Sequence, residues 1–267
     1  MINQPKYQMT EMDINLNKVK MRDKLILIGL YFSKFNSDGL FKLDFTSYKE
    51  AFNIMGFALG AKPASIKNYR DEFDPIFPNM RKGWHNRPMR AYCYDIYKRY
   101  GKLDINDFSN LIKLLTYRNG ELDLIGEEFP FQRKRIKSQS FAKRLLTGQA
   151  AERYFETVYR SIDVFSDCSI LNTTMMGCGF DFKLIMESPS SFWGVEVKGL
   201  EGISGTISLT AKEHTVANRL KDRYFLFIVK NFRESPFWEL YRNPIKSKLE
   251  FRKTEQVITQ VTWSASV

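Results

Sequence analysis

The stretch "FWGVEVKG" (residues 192–199) decides how the second half of this chain is interpreted. It consists mainly of strand-forming residues, yet it contains two charges, Glu196 and Lys198. Side chains two residues apart in a strand point to the same face of a sheet. Burying two charges on that face is costly unless they pair with each other or bind a ligand. The stretch therefore predicts either an internal ion pair or a functional site.

The segments around this stretch predict an α/β domain with a mixed sheet flanked by helices. "GFDFKLIM" (179–186) alternates between apolar and polar residues, as a half-buried strand does. "YFLFIVKNF" (224–232) opens with the fully apolar run of a central strand. Two further strands, "IDVFSDCSIL" (162–171) and "GTISL" (205–209), and two helices, "SFAKRLLTGQAAERYFETVYRSI" (140–162) and "TAKEHTVANRLKD" (210–222), complete the domain.

A third charge, Asp181, joins the first two if the strands around residues 180 and 195 form a hairpin. A hairpin centred between Ser188 and Pro189 places Asp181 opposite Glu196, with Cβ atoms about 5 Å apart. Two carboxylates this close repel each other unless a cation lies between them. Oxygen ligands at this spacing suit Mg²⁺, and Lys198 on the same face could orient a water molecule or stabilise phosphate charge. The pattern predicts hydrolysis of phosphodiesters, with Asp181 and Glu196 as metal ligands.

These residues resemble a known nuclease motif. "GFDF" and "VEVKG" are similar to the PD-(D/E)xK motif, although Phe180 stands where that motif has proline. Gly148–Val229 resembles the DUF3883 branch of this superfamily in "GQAAERYF", "GFDF", "VEVKG", "ISLTAKEH" and "DRYFLFIV". The resemblance implies a Mg²⁺-dependent nuclease core of the kind found in restriction and defence enzymes. It also implies that Glu152 is a further catalytic acid, unless Glu152 is simply a charge on a helix surface.

The first 120 residues predict a mainly helical, winged helix-turn-helix-like domain that recognises DNA. Helices are expected in residues 18–35, ending at "NSDG" (36–39), in 47–60, in 62–77 with Ser65 as the cap, and in 104–115. A basic, aromatic loop around residues 81–90 would act as the wing. The alternative is a plain helical bundle with solvated faces. The predicted DNA-binding residues are Lys67, Asn68, Arg70, Arg81, Lys82, Arg87 and Arg90.

Composition limits the possible partners and the setting. The net charge of +11 and the pI of about 9.4 favour a polyanion such as nucleic acid, although a merely basic surface is the alternative. Three scattered cysteines indicate a reducing compartment. No apolar run reaches the ~18 residues of a membrane span, and the polar N-terminus is not a signal peptide. A bacterial cytoplasmic location is therefore expected, with no membrane partner.

Together these patterns predict two domains, residues 1–120 for recognition and residues 141–267 for cleavage, joined by a linker at 121–140. The linker contains a basic cluster that is either solvated or in contact with phosphates, formed by Arg133, Lys134, Arg135 and Lys137. The expected function is a Mg²⁺-dependent, type II-like restriction endonuclease. Because one motif cuts one strand, a homodimer on double-stranded DNA is expected. The alternatives are a non-catalytic DNA-binding protein with a nuclease-like fold, and a repair or mobile-element nuclease.

Overall fold

The structure, a computed structural model, describes residues 19–117, 133–186, 192–255, 263 and 265, without the side chains of residues 133–141. In these residues the helices are α1 (Met21–Lys42), α2 (Tyr48–Ala58), α3 (Pro63–Phe73), α4 (Ala91–Tyr100), α5 (Ile105–Thr116), α6 (Arg133–Val158) and α7 (Ala211–Leu220). The strands are β1 (Ser169–Asn172), β2 (Phe182–Ile185), β3 (Phe192–Gly199), β4 (Tyr224–Lys230) and β5 (Phe237–Arg242). The chain divides into two compact units.

The strands form one sheet in the order β1-β2-β3-β4-β5. β2 pairs with both β1 and β3 in antiparallel fashion, and Phe182 lies opposite Val195. This register confirms the predicted hairpin, although its turn at residues 187–191 lies outside the described residues. The predicted fold class, an α/β protein with a mixed sheet preceded by a helical region, is confirmed.

The strand predictions differ from the structure at three places. Residues 205–209, "GTISL", form no strand. In the predicted strand "IDVFSDCSIL" (162–171), residues 163–165 form a 3-10 helix, and the strand β1 begins only at Ser169. The strand β5 was not predicted at all. Its side chains are half-buried or exposed throughout, so its sequence lacks the clear alternation of a strand with one buried face.

The first unit comprises Met1–Asp167, Val197–Ile207 and Phe227–Glu239. Its central helix is α1, in which every residue from Leu25 to Ser33 is buried. α3 crosses α1 at Gly29, where an added Cβ would lie 2.6 Å from the Cβ of Tyr69 and 2.7 Å from the nitrogen of Arg70. Glycine at this position therefore allows the two helix backbones to approach closely.

α6 belongs to the same unit as the N-terminal helices, and α2 packs along it. The buried amide of Gln149 on α6 donates hydrogen bonds to the carbonyl oxygens of Ala58 (2.8 Å) and Thr116 (3.2 Å). Ala58 and Thr116 are the last residues of α2 and α5. The last carbonyl groups of a helix have no partner within it, so Gln149 caps two helices at once.

Buried charges also join these elements. Lys143 of α6 forms ion pairs with Glu50 of α2 at 3.0 Å and with Glu201, which follows β3, at 3.2 Å. Lys143 and Glu50 are 6% and 0% exposed, so removing one would leave the other buried without its main partner. Burial alone would raise the pKa of Glu50, but hydrogen bonds from Thr46 and Lys143 outweigh it and lower that pKa.

Several helix boundaries differ from the predictions. The "NSDG" segment breaks α1 at Asn36 (φ 49°), but the helix resumes and ends at Lys42. Ser65 is not a cap, because α3 begins at Pro63, whose fixed φ suits the first helical position. Ser47 does cap α2, accepting from the nitrogen of Glu50 at 3.1 Å. The helix α4 was not predicted. Of the predicted linker (121–140), residues 121–132 lie outside the described residues and residues 133–140 are helical.

The second unit comprises Cys168–Glu196, Ser208–Leu226 and Leu240–Val267. Its core is built by buried residues of α7 and the strands around it, namely Phe180, Val216, Ala217, Leu220 and Tyr224. α7 begins with a capping box, in which Thr210 and Glu213 exchange hydrogen bonds of 2.9 and 3.2 Å. Among the helices that the structure describes, none combines the length and apolar character of a membrane crossing.

Candidate active site

Asp181 follows a sharp turn whose geometry requires glycine. Gly177 and Gly179 have φ angles of 58° and 83°, in the left-handed region that other residues rarely adopt. At Gly179 an added Cβ would also lie 2.8 Å from Cγ2 of Val216 on α7. The "GCGFDF" sequence therefore folds back tightly against α7 immediately before Asp181.

Hydrogen bonds fix this turn. The hydroxyl of Tyr224 donates to the carbonyl of Gly179 at 3.0 Å, and the hydroxyl of Thr173 donates to the carbonyl of Phe180 at 2.9 Å. The nitrogen of Thr173 donates to the carbonyl of Asp181 at 2.8 Å. The main chain on both sides of the Asp181 side chain is therefore held by neighbours, which limits the positions its carboxylate can take.

Asp181 stands next to the β2–β3 ladder rather than within it. Continuing the register one step beyond the Phe182–Val195 pair would place Asp181 opposite Glu196, as predicted. The nitrogen of Asp181, however, donates to the carbonyl of Val195 at 3.0 Å, so the regular pairing shifts by one residue here. Such departures from a regular ladder re-aim a side chain.

Three nearby carboxylates influence the pKa of the buried Tyr224 hydroxyl. Burial raises the pKa of Tyr224, and the negative charges of Glu196, Glu213 and Asp181 raise it further. Two candidate metal ligands thus act on one buried hydroxyl in the second unit. The third carboxylate, Glu213, takes part in the capping box of α7.

Glu196 and Lys198 lie two residues apart on β3, so their side chains share one face of the strand. Glu196 is 3% exposed, whereas Lys198 is half-buried. Val195 and Val197, on the opposite face, are also buried, as expected for a strand with neighbours on both sides. The carboxylate of Glu196 is therefore in a low-dielectric environment, where a nearby positive charge is strongly favoured.

The end of β3 contacts α6 in the first unit. At Gly199 an added Cβ would lie 2.8 Å from the carbonyl oxygen of Thr147 and 3.1 Å from the Cβ of Ala151. Lys198 precedes this contact on β3, and the half-buried Glu152 follows it on α6. The close approach of Gly199 to α6 was not predicted, although a glycine at the end of a strand pattern often marks a close backbone approach.

The donor set fits Mg²⁺ better than a transition metal. Mg²⁺ is usually held by one or two carboxylates and completes its octahedron with water and substrate phosphates. Asp181 and Glu196 supply two carboxylates, and no histidine is among the predicted site residues. Within the described part of the chain, no group of three or more His, Cys, Asp or Glu side chains has the arrangement of a metal site. A two-carboxylate Mg²⁺ site does not require such a group.

Arg70, one of the residues predicted to contact DNA from α3, does not lie on the exposed face of this helix. Arg70 is 8% exposed, lies over the ring of Tyr48 at 4.8 Å and pairs with Asp71 at 2.8 Å. Lys67 is exposed and pairs with Asp71 at 2.8 Å, while Asn68 is exposed. Arg70 therefore stabilises the helical core, and Lys67 and Asn68 remain candidates for DNA contact.

Three arginines of the basic loop neutralise buried carboxylates. Arg81 binds Asp74 through two hydrogen bonds of 2.9 and 2.8 Å, and these hydrogen bonds are the largest influence raising the pKa of Arg81. Arg87 and Arg90 both bind Glu72, with closest distances of 2.5 and 3.0 Å. Burial alone would raise the pKa of Glu72, but the bonds from Arg87 and Arg90 outweigh it and lower that pKa.

The loop itself consists of turns and bends from residue 77 to residue 90. Arg81, Arg87 and Arg90 remain about one-third exposed while they hold their carboxylates. Lys82 is exposed. The contact of these four residues with DNA stays a prediction, and the basic cluster at residues 133–137 has side chains outside the described residues.

Comparison with known families gives one match. Residues 151–242 match the model of the family described as Protein NO VEIN, C-terminal, which covers about a third of the chain. This family is associated with PD-(D/E)xK-like nuclease domains. The matched range contains all four predicted catalytic residues, namely Glu152, Asp181, Glu196 and Lys198. No curated protein and no solved structure matches the chain.

Proposed function

We propose that this protein is a Mg²⁺-dependent DNA endonuclease whose active site is formed by Asp181, Glu196, Lys198 and Glu152. The observation that carries the proposal is the pairing of β2 with β3, in which Phe182 lies opposite Val195 and the nitrogen of Asp181 donates to the carbonyl of Val195, so that Asp181 and Glu196 directly adjoin this pair. Lys198 follows Glu196 on the same face of β3. The family match over residues 151–242 supports a nuclease-like role for this part of the chain.

Each residue has a defined role in the proposed reaction. Asp181 and Glu196 hold Mg²⁺, which when bound polarises the phosphate and lowers the pKa of a water ligand. Lys198 orients the attacking water and stabilises the charge that develops on the phosphate oxygens. Glu152 assists from α6, close to the contact between Gly199 and Ala151. The buried hydrogen bonds around Gly179 keep the Asp181 carboxylate in place.

We further propose that the enzyme is a restriction endonuclease of the DUF3883-like group in the bacterial cytoplasm. Double-stranded DNA is the substrate that best accounts for a net charge of +11. A double-strand break at a fixed stagger requires two active sites in opposite orientation, so the enzyme acts as a homodimer on a palindromic or near-palindromic site. Exposed residues of the first 120 positions, including Lys67, Asn68 and Lys82, supply sequence recognition.

The test is incubation of the protein with methylated and unmethylated genomic DNA in Mg²⁺, followed by sequencing of the ends. A restriction endonuclease yields ends at one short sequence and spares one of the two DNAs. Ends at a single sequence in both DNAs would instead indicate a repair or mobile-element nuclease. Cleavage that persists in excess EDTA would contradict the metal-dependent mechanism.

One observation favours a second candidate, a non-catalytic DNA-binding protein with a nuclease-like fold. Glu196 is 3% exposed, which is the burial expected of a structural ion pair. In this case genomic DNA stays intact in Mg²⁺, Mn²⁺ and Ca²⁺, while the protein still retards a duplex in a gel. Calorimetric titration with Mg²⁺ then shows no binding that depends on Asp181.

A further inference from the structure

The loop between α3 and α4 forms a concave surface around an exposed tryptophan. This concavity is lined by Gly83, Trp84, His85, Asn86 and Arg87. The Trp84 side chain is 42% exposed, although tryptophan has more apolar area to bury than other residues. The side chains that line the concavity carry aromatic, amide and cationic groups. These groups suit a flat polar ligand better than an aliphatic one.

The main chain at Trp84 is anchored to α3. The backbone nitrogen of Trp84 donates to the carbonyl oxygen of Asp71 on α3 at 2.8 Å. Gly83 adopts a left-handed φ of 54°, and an added Cβ there would lie 2.4 Å from the same carbonyl oxygen. The loop is therefore attached to the last turn of α3 at Gly83 and Trp84, and the attachment leaves the indole 42% exposed.

The charges around the indole decide what it can bind. The guanidinium of Arg87 lies 4.6 Å from the Trp84 ring centre, and that of Arg90 lies 5.6 Å from it. Both guanidinium groups bind the single buried carboxylate of Glu72, so the group keeps one net positive charge. This charge repels ammonium ligands, which aromatic cages otherwise bind. It attracts a ligand that joins an aromatic ring to an anion.

We propose that Trp84 is a stacking platform for an unpaired nucleobase, with Arg87 drawing the adjoining phosphate. The proposal rests on the proposed function in one respect, namely that the partner is nucleic acid. Bases stack on exposed aromatic side chains without sequence preference, and a guanidinium supports the stack and binds phosphate. The site therefore holds a nucleotide that has left the duplex, or one in a single-stranded segment next to it.

Binding of a fluorescently labelled single-stranded oligonucleotide to the full-length protein in EDTA tests this proposal. Base stacking on an aromatic side chain contributes ~1–3 kcal/mol, so Trp84→Ala should weaken binding by about 5-fold or more. Trp84→Phe retains a ring and should restore most of the affinity. Trp263→Ala is the matched control, because Trp263 is 92% exposed, and this change should leave affinity unaltered.

A second measurement uses the unaltered protein and therefore does not depend on the folding of a variant. An oligonucleotide of the same length whose sugars lack bases should bind at least 5-fold more weakly and quench tryptophan fluorescence less. Equal affinity of Trp84→Ala and wild type for the normal oligonucleotide would overturn the proposal. Loss of polyglutamate binding by Trp84→Ala, with oligonucleotide binding intact, would show that the site takes acidic peptides instead.

These outcomes are separate from those that test cleavage. The binding assay contains no Mg²⁺, so it reports on Trp84 even if the protein cuts nothing. A protein that stacks bases at Trp84 but leaves DNA intact contradicts the proposed function and not the platform. A protein that cuts DNA while Trp84→Ala binds single strands normally contradicts the platform and not the nuclease.

Discussion

The hydroxyl of Tyr224 and the carbonyl of Gly179 form a buried hydrogen bond of 3.0 Å, two residues before Asp181. Tyr224 begins the buried strand β4, and Gly179 lies in the left-handed turn that leads into β2. The bond therefore attaches the candidate metal ligand to the most buried part of the sheet. Tyr224 is a positioning residue in this arrangement, because it acts on Asp181 through the main chain.

We predict that Tyr224→Phe destabilises the fold and weakens Mg²⁺ binding. The change leaves the buried Gly179 carbonyl without its donor, which costs ~1–3 kcal/mol. Denaturant unfolding measures the first effect, and calorimetric Mg²⁺ titration measures the second. Tyr154→Phe is the control, because its hydroxyl bonds Pro236 at a long 3.4 Å, and it should alter neither quantity much. If the Tyr224→Phe protein is destabilised but binds Mg²⁺ with unchanged affinity, Tyr224 does not position Asp181.

We predict that Gly199→Ala lowers both stability and activity. Its methyl group would lie 2.8 Å from the Thr147 carbonyl, so β3 and α6 would have to separate. Overpacking of this kind typically costs ~1–3 kcal/mol, measured by thermal or denaturant unfolding. The matched control is Gly148→Ala on α6, where an added Cβ meets nothing within 4 Å and alanine favours the helix. If both variants unfold at the same denaturant concentration, the contact between Gly199 and Thr147 accommodates a methyl group and the prediction is wrong.

We predict that Lys198→Ala lowers the cleavage rate by ~10²- to 10⁴-fold, as expected for loss of a general acid–base group. DNA affinity in a gel-shift assay should stay nearly constant, because Lys198 acts on the water and the transition state. Asp181→Asn should lower activity and Mg²⁺ affinity together, because it removes a ligand charge. Lys183→Ala on β2 serves as the control for loss of a lysine. Undiminished cleavage by Lys198→Ala would rule out the proposed mechanism.

We predict opposite effects for two neighbouring residues of α3. Asn68→Ala should relax or abolish site choice, with a loss of ~1–3 kcal/mol of discrimination, and should leave stability unchanged. Arg70→Ala should destabilise the fold, because it leaves Asp71 and Asp74 with fewer partners and removes the stack on Tyr48. Cleavage-site sequencing and denaturant unfolding separate the two effects. If the Arg70→Ala protein is stable but cuts DNA at altered sites, Arg70 contacts DNA and its proposed structural role is wrong.

We predict an acid-sensitive step in stability that originates at Glu72. The bonds from Arg87 and Arg90 hold the folded pKa of Glu72 below its ordinary value of 4.5, so its contribution to stability is complete above that pH. The contribution is lost as pH falls through the lower folded pKa, when the carboxylate takes up a proton. Glu72→Gln should therefore be less stable at pH 7 and change less between pH 7 and pH 3. Glu156→Gln, at an exposed ion pair, should keep the wild-type pH profile.

Local patterns predicted the elements whose structure depends on nearby residues. β3 matches its predicted bounds, and the β2–β3 register follows from hairpin symmetry about residues 188 and 189. The capping box of α7 needs only Thr210 and Glu213, three residues apart. Each of these features requires information from a short stretch of chain, which the sequence contains.

Long-range pairing explains what the sequence could not predict. Glu72 near the end of α3 and Asp74 directly after it have the pattern of surface residues, yet both are buried and paired with arginines 7 to 18 residues further along. The same pairing gives Arg81 and Arg87 a structural role that a charge count cannot distinguish from a DNA contact. Gln149 reaches carbonyls 33 and 91 residues away, and no local pattern indicates such a contact.

The double cap at Gln149 has an evolutionary consequence. Segments of a chain are exchanged between proteins most readily where few contacts cross the seam. In a chimera joined near residue 120, the Gln149 amide would face the ends of helices from another protein. Lys143 would lie buried against a surface that does not match its charge. New specificity in this lineage is therefore expected to arise by substitution within the inherited helices, or by exchange of a block that includes α6.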